Sequence, residues 1–378
     1  MEFIDLSAQQ SRIRDRIDAR IAAVLAHGGY ILGPEVAEFE AALAQFCGAR
    51  HVVSCANGTD ALELAMVVLG VGPGDAVFCP SFTFAATAEV VPATGATPVM
   101  CDINPVTYNL CPDSLRRAIA HACKIGLRPA VVNAVDLFGL PADYDAIEAI
   151  CDEHGMKLIA DSAQGFGSVY NGRTSGTIGD IATTSFFPAK PLGCYGDGGA
   201  IFTSDEGVAE LLRSLRVHGK GTDKYDNVRI GRNSRLDTLQ AAILLEKLAI
   251  FADELDRRQR VAERYTVALS DMIDTPHVPE GLRSSWAQYT LRTRAGQDRT
   301  TLMAALKAEG VPTVVYYPRP LHRQTAYAAF PCDPAGLPVC DVAAKRVFSL
   351  PMHPYLAHSD QDRIIETLQR LLVCDTVG

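Results

Sequence analysis

An α/β fold is predicted, in which a mostly parallel sheet is covered by helices and followed by a smaller C-terminal α+β domain. Three observations carry that reading. Short β-branched runs alternate with helical stretches of about ten residues, the signature of βαβ units. The strands are apolar along their whole length, as strands buried on both faces are. Past Thr238 the character changes to a long run rich in Ala, Leu, Glu and Arg, then to shorter segments. A chain of 378 residues has material for two domains at roughly 150 residues each. The change of character sets them at residues 1–250, with an N-terminal helical arm, and 251–378.

In order along the chain, His51–Cys55 (HVVSC) reads as a strand and Asp60–Leu69 as a buried helix. Ala76–Cys79 and Thr97–Cys101 are strands on either side of a helix at Ala85–Val91. Just before the first of these, Gly70–Asp75 (GVGPGD) lacks the spacing of a dinucleotide loop and reads as strand punctuation. The strand Ala130–Val135 leads to a helix near Tyr144–Glu153 and the strand Lys157–Ala160. Ile181–Phe186 and Ala200–Thr203 are further strands, with a helix at Glu206–Leu215. Leu239–Leu269 is long enough for one bent helix or two. Beyond it come a segment at Tyr289–Arg292, a helix around Thr301–Glu309, a strand near Thr313–Tyr317 and a terminal helix near Gln361–Leu372.

Composition excludes several function classes. Lys and Arg number 35 against 44 Asp and Glu, a net charge of −9 without a basic run, so nucleic acid is not an expected partner. No window approaches about 18 uninterrupted apolar residues, so no membrane span is expected. The first residues, MEFIDLSAQQ, are charged and amphipathic and lack a signal-peptide core. Eleven scattered cysteines form no CxxC pair and no His/Cys cluster of zinc spacing, so no metal is expected. Reduced thiols in the cytoplasm follow.

Chemistry gathers at three strand ends, where ligands of α/β sheets sit. In SCANGTD, Gly58 permits a tight turn, and Thr59 and Asp60 open a helix whose free N–H groups and positive dipole end suit a phosphate. A plain helix cap is the other reading of that fragment. In LIADSAQ, Asp161 ends an apolar strand; a carboxylate at that depth stays ionised only beside a cationic or hydrogen-bonding partner. In TSFFPAKPLG, Lys190 lies between two prolines and close to the Gly-rich GDGG, a setting unlike a solvated helix face. A dry or cationic environment turns such an amine into a nucleophile. A phosphate cradle, a buried acid and a loop lysine together match what pyridoxal phosphate requires: an amine for its aldehyde and a carboxylate for its protonated pyridine nitrogen.

These fragments, with YILGPEVAEFE, SFTFAATAE, GRNSRLDTLQAAIL, YYPRPLHRQ and SLPMHP in the same order, resemble the fold-type I sugar-nucleotide aminotransferases of the DegT/DnrJ group over essentially the whole chain. The resemblance implies that Lys190 is the imine lysine, Asp161 the pyridinium partner and Gln164 the donor to the ring hydroxyl. Phe84 would stack on the ring, where other members carry Trp or Tyr. Gly58, Thr59, Asp60 and Ser185 would hold the phosphate. Asn233 would reach a neighbouring subunit's cofactor, which implies a homodimer with shared active sites, and Arg235, Tyr317 and His322 would border the sugar. L-glutamate would convert the cofactor to pyridoxamine phosphate, and a keto-sugar nucleotide would accept the amino group.

Within the group, MEFIDL, TSFFPAKPLGCYGDGGAIFT and SLPMHPYL are similar to the subgroup that aminates C3 of UDP-2-acetamido-2-deoxy-3-keto-glucuronate for cell-surface polysaccharides. One position departs: Tyr316 stands where that subgroup is expected to carry His. A dTDP-linked 3-keto- or 4-keto-6-deoxyhexose is the competing acceptor. A deoxygenating hydro-lyase would replace the imine lysine with His, so Lys190 argues against it. A non-catalytic sensor would not need the whole constellation.

Overall fold

The computed structural model describes residues 1–223 and 225–375. Asp5 starts α1 (Leu6–His27) by accepting from the Ala8 N–H, and Gly28, at φ 68°, ends it. Pro34 opens α2 (Pro34–Cys47) at a position where its missing N–H costs no bond. The core then alternates strand and helix: β1 (His51–Cys55), α3 (Gly58–Val68), β2 (Asp75–Pro80), α4 (Ala86–Ala93), β3 (Thr97–Cys101), α5 (Pro112–Lys124), β4 (Arg128–Val135), α6 (Tyr144–His154) and β5 (Lys157–Asp161). A small ribbon, β6 (Val169–Tyr170) and β7 (Arg173–Thr174), precedes β8 (Ile181–Ser185), β9 (Gly199–Thr203) and α7 (Glu206–Leu215).

The main sheet has seven strands in the order β1-β9-β8-β5-β4-β2-β3. Strands β3, β2, β4, β5 and β8 run parallel, and β9 alone is reversed against both β8 and β1. Successive residues face opposite sides. Val52, Phe78, Val132, Leu158 and Phe202 join one core with α2, α5 and α6, while Val53, Val77, Val131, Ile159 and Ile201 join another with α3, α4 and α7. Both faces are covered, as the apolar strands required.

The run past Thr238 is one helix, α8 (Thr238–Leu269), 32 residues long. Residue 250 lies inside it. Its first half supplies Ala241, Leu244, Phe251 and Leu255 to the sheet's core, and its second half supplies Val261, Ala262, Tyr265 and Leu269 to a separate core. That second core is closed by β11 (Tyr289–Arg292), α9 (Arg299–Ala308), β12 (Val347–Leu350) and α11 (His358–Asp375), with β10 (Leu282–Arg283) pairing back onto β6 and α10 (Pro338–Arg346) preceding β12. The strand expected at Thr313–Tyr317 is not formed. Only Val314 makes a bridge, to Ser349, and the flanking Pro312 and Pro318 have no N–H to extend the ladder. No helix among the described residues is long and apolar enough to cross a membrane.

An aromatic stack ties α8 to the turn after β5. The Phe166 ring lies 5.9 Å from Phe251 at 9° and 5.7 Å from Phe202 at 22°. Phe251 is fully buried, so Phe251→Ala should lower unfolding free energy by about 3–5 kcal/mol. Denaturant titration checks this; a shift below about 1 kcal/mol would mean that the stack collapses to fill the gap.

Candidate active site

The carboxyl ends of β1, β2, β4, β5 and β8 lie on one edge of the sheet, and the expected site residues lie on the turns that leave it. After β1, Asn57 caps α3: its side-chain oxygen accepts from the Asp60 N–H at 2.8 Å. A Cβ on Gly58 would sit 2.7 Å from the Cβ of Ser185, so only glycine lets the start of α3 close onto the end of β8. The structure thus brings Gly58, Thr59, Asp60 and Ser185 together, and all four keep partial exposure. Helix-start N–H groups beside a serine hydroxyl form a cradle for a phosphate.

Asp161 is the last residue of β5 and is buried. One carboxylate oxygen accepts from the Ala163 N–H at 3.0 Å. Burial nevertheless pushes its pKa above the usual carboxylate range, against the opposing pull of that N–H, the Lys190 charge and the Thr87 hydroxyl. The carboxylate is therefore short of cationic partners. A protonated pyridine nitrogen supplies one, so the donor set fits pyridoxal phosphate.

Lys190 lies in the loop after β8, where its N–H donates to Phe187 at 2.8 Å. It is half-buried, and desolvation pushes its amine below the ordinary lysine value while Asp161 pulls it back up. A lysine so placed has more of its amine unprotonated than a solvated one.

Gln164 connects this pair to the sugar-side segment. Its side-chain oxygen accepts from the Phe138 N–H at 2.7 Å, and its amide donates to the Tyr317 hydroxyl at 3.1 Å. An NH₂ has two hydrogens, so one remains for a ligand. Phe84 is 56% exposed, unusual for a large aromatic, and its ring is 6.5 Å from that of Tyr317. Its free face is available for a planar ring.

The other expected residues lie further out. Asn233 is exposed and Arg235 half-buried, on a segment held to the β1–α3 turn by the Ala56 N–H, which donates to Ser234 Oγ at 3.2 Å. Arg235 makes no hydrogen bond or ion pair among the described residues. His322 is tied to protein on both sides. Nδ1 is 2.8 Å from Ser81 Oγ, and Nε2 is 3.2 Å from Asp341 Oδ1, close enough for an ion pair but not aligned for a hydrogen bond.

One residue that sequence reasoning missed is Asp136, directly after β4. It accepts from Tyr144 Oη at 2.6 Å, Ser162 Oγ at 2.8 Å and the Ala142 N–H at 3.1 Å, and its own N–H donates to the Asp161 carbonyl. It fixes the turn that holds Asp161 and Gln164. An acidic residue directly after the strand run AVVNAV was the available signal. Thr183, opposite Asp161 in the β5–β8 register, has a buried hydroxyl without a partner.

Burial pushes the Asp136 carboxyl up to about 7. A carboxyl whose folded pKa exceeds its unfolded value contributes stability at low pH that is lost as pH rises through the folded pKa. The difference in unfolding midpoint between wild type and Asp136→Asn should therefore fall as pH goes from about 4 to about 7. A constant difference across that window would show an ordinary carboxylate.

Comparison with known proteins agrees with this geometry. Residues 11–369 match the DegT/DnrJ/EryC1/StrS aminotransferase family. The UDP-2-acetamido-2-deoxy-3-oxo-D-glucuronate aminotransferase of Pseudomonas aeruginosa is 52% identical over 357 residues, 94% of this chain and 96% of that protein. The crystal structure of a family aminotransferase from Brucella abortus shares 53% identity and a TM-score of 0.96, covering 98% of this chain and 99% of that one. NtdA of Bacillus subtilis, solved with its cofactor PMP bound, shares 30% identity and a TM-score of 0.89 over 99% of this chain and 85% of its own. With its buried acid, loop lysine and phosphate cradle on one sheet edge, the chain belongs to the DegT/DnrJ/EryC1/StrS aminotransferase family.

Proposed function

We propose that this enzyme transfers an amino group from L-glutamate to C3 of UDP-2-acetamido-2-deoxy-3-keto-glucuronate, with pyridoxal phosphate as cofactor. The single observation that carries the chemistry is the Asp161 carboxylate buried at the end of β5, held by the Ala163 N–H and coupled in charge to Lys190 on the loop after β8. The 52% identity to the Pseudomonas enzyme supports the acceptor. When bound, the cofactor supplies an electron sink for breaking a C–H bond beside an amine. Asp161 holds a proton on the ring nitrogen. Gly58, Thr59, Asp60 and Ser185 bind the phosphate, Phe84 covers one ring face, and Gln164 donates to the ring hydroxyl. The Lys190 amine would carry the proton to and from the reacting carbon.

On the sugar side, Arg235 and Tyr317 face the acceptor, with His322 bracing the segment beside it. Tyr316 is half-buried with its ring 6.4 Å from Phe3. It contributes a hydroxyl but no positive charge, so Arg235 is the cation for the uronate carboxylate. We place the enzyme in the cytoplasm; ten free cysteines among the described residues suit a reducing compartment.

The acceptor is tested by turnover, following 2-oxoglutarate release and product mass. The UDP-linked 3-keto uronate should be preferred over a dTDP-linked 3-keto-6-deoxyhexose. A tenfold preference the other way, about 1.4 kcal/mol, would overturn the uronate and leave the aminotransferase standing. In the same preparation, borohydride should fix the cofactor to Lys190, and Lys190→Ala should lose both the label and turnover.

The active unit is a homodimer in which each site borrows Asn233 and Arg235 from its neighbour. Val228 and Ile230, 53% and 87% exposed, leave an apolar patch beside them that a partner would cover. A two-fold contact is reciprocal. Mixing inactive Lys190→Ala with inactive Arg235→Ala should therefore restore part of the activity, since mixed dimers hold one intact site. No recovery after exchange of subunits would count against shared sites.

A further inference from the structure

We propose that Lys247 is a positioning residue for Lys190, and that with Gln240 it clamps the loop carrying that lysine onto α8. The inference rests on Lys190 being the reactive amine. Between Phe186 and Gly198 the loop folds back on itself: Cys194 N–H donates to Phe186 at 2.8 Å and Phe186 N–H to Gly198 at 2.7 Å. A Cβ on Gly193 would meet the Pro188 carbonyl at 2.4 Å. Inside the loop the Cys194 thiol lies 3.0 Å from the Phe186 carbonyl and 3.1 Å from that of Gly196, and α8 grips the loop from outside. The Lys247 Nζ donates to the Gly193 carbonyl at 2.6 Å and lies 4.3 Å from the Tyr195 ring centroid. Gln240 Oε1 accepts from the Tyr195 N–H at 2.8 Å. Positions 240 and 247 are two turns apart on one helix face, so the two grips flank Cys194.

A lysine is a costly way to fill this space. Lys247 is 1% exposed, and no carboxylate among the described residues lies within ion-pair distance of it. Burial pushes its amine down to about 8, and Glu254, another two turns along α8, sustains the charge from further off. Leucine or methionine would fill the volume without desolvating an ammonium. What they lack is the directed donor to Gly193, three residues from Lys190. A displacement of about 1 Å at a reacting group lowers rate about a hundredfold, so a firm loop has catalytic value that packing alone does not give.

Lys247→Met tests this, because it keeps length and volume and removes the donor. In cofactor-free protein, hydrogen exchange of the 186–197 segment should speed up about tenfold. In loaded enzyme, kcat should fall about tenfold with KM for the sugar acceptor within about threefold, while the unfolding midpoint stays level or rises. A structural role alone would lower the midpoint and leave loop exchange and kcat in step with it. Should Lys247→Met not fold, Lys247→Gln, whose shorter amide does not reach Gly193, should give the same changes. Folded variants with exchange and kcat both within twofold of wild type would overturn the proposal. Loop exchange does not depend on the chemistry at Lys190, so full activity in Lys190→Ala would sink the proposed reaction and leave the clamp to be judged on its own.

Discussion

A carboxylate held out of water at the end of a central strand is the constraint on which the rest of this structure depends. Asp161 is buried, and burial disfavours its charge. Keeping it in place takes a strand hydrogen-bonded on both sides, by β4 and β8, and a following turn pinned by Asp136 and by the Phe166 stack. Keeping it charged takes a cation brought from elsewhere. Lys190, on the next strand's loop, gives a part of that, and in the proposed function a protonated ring nitrogen gives the rest.

The same edge of the sheet separates two tasks. On the β1–β8 side, Gly58 against Ser185 sets backbone and a small hydroxyl at the proposed phosphate cradle. On the β4–β5 side, Gln164 links the ring pocket to Tyr317, and Tyr317 leads to Phe84. The first task needs close approach and no side-chain volume; the second needs aromatic surface and directed polar groups. Glycine and serine gather at one, aromatics and amides at the other.

Much of this was legible in the sequence, because continuously apolar runs and Gly-rich strand ends are local signals. Lys190, Asp161 and the NGTD turn each stand at a place that the alternation of strand and helix identifies. Asp136 was not legible: its importance lies in accepting from Tyr144 and Ser162, contacts made across 8 and 26 residues of chain. Lys247 was hidden for a related reason. Within a helical run rich in charge it looks like a solvated lysine, and only the fold turns it inward against Gly193. The expected strand at Thr313–Tyr317 had β-branched residues in its favour, but the prolines on either side leave a single bridge.

The unbroken α8 has a consequence for how this family's members can exchange parts. The residues proposed to hold the cofactor precede it, and the Tyr316–Tyr317 segment proposed to border the sugar follows it. A chimera joined at residue 250 would splice two halves of one apolar stripe, and each half packs a different core. Joined between Leu255 and Val261, where the helix passes from one core to the other, the recombined chain keeps the buried residues of each of these two cores together. Such a chimera would bring in a relative's Tyr316–Tyr317 segment while Lys190, Asp161 and Arg235, all of which precede α8, stay on their native scaffold.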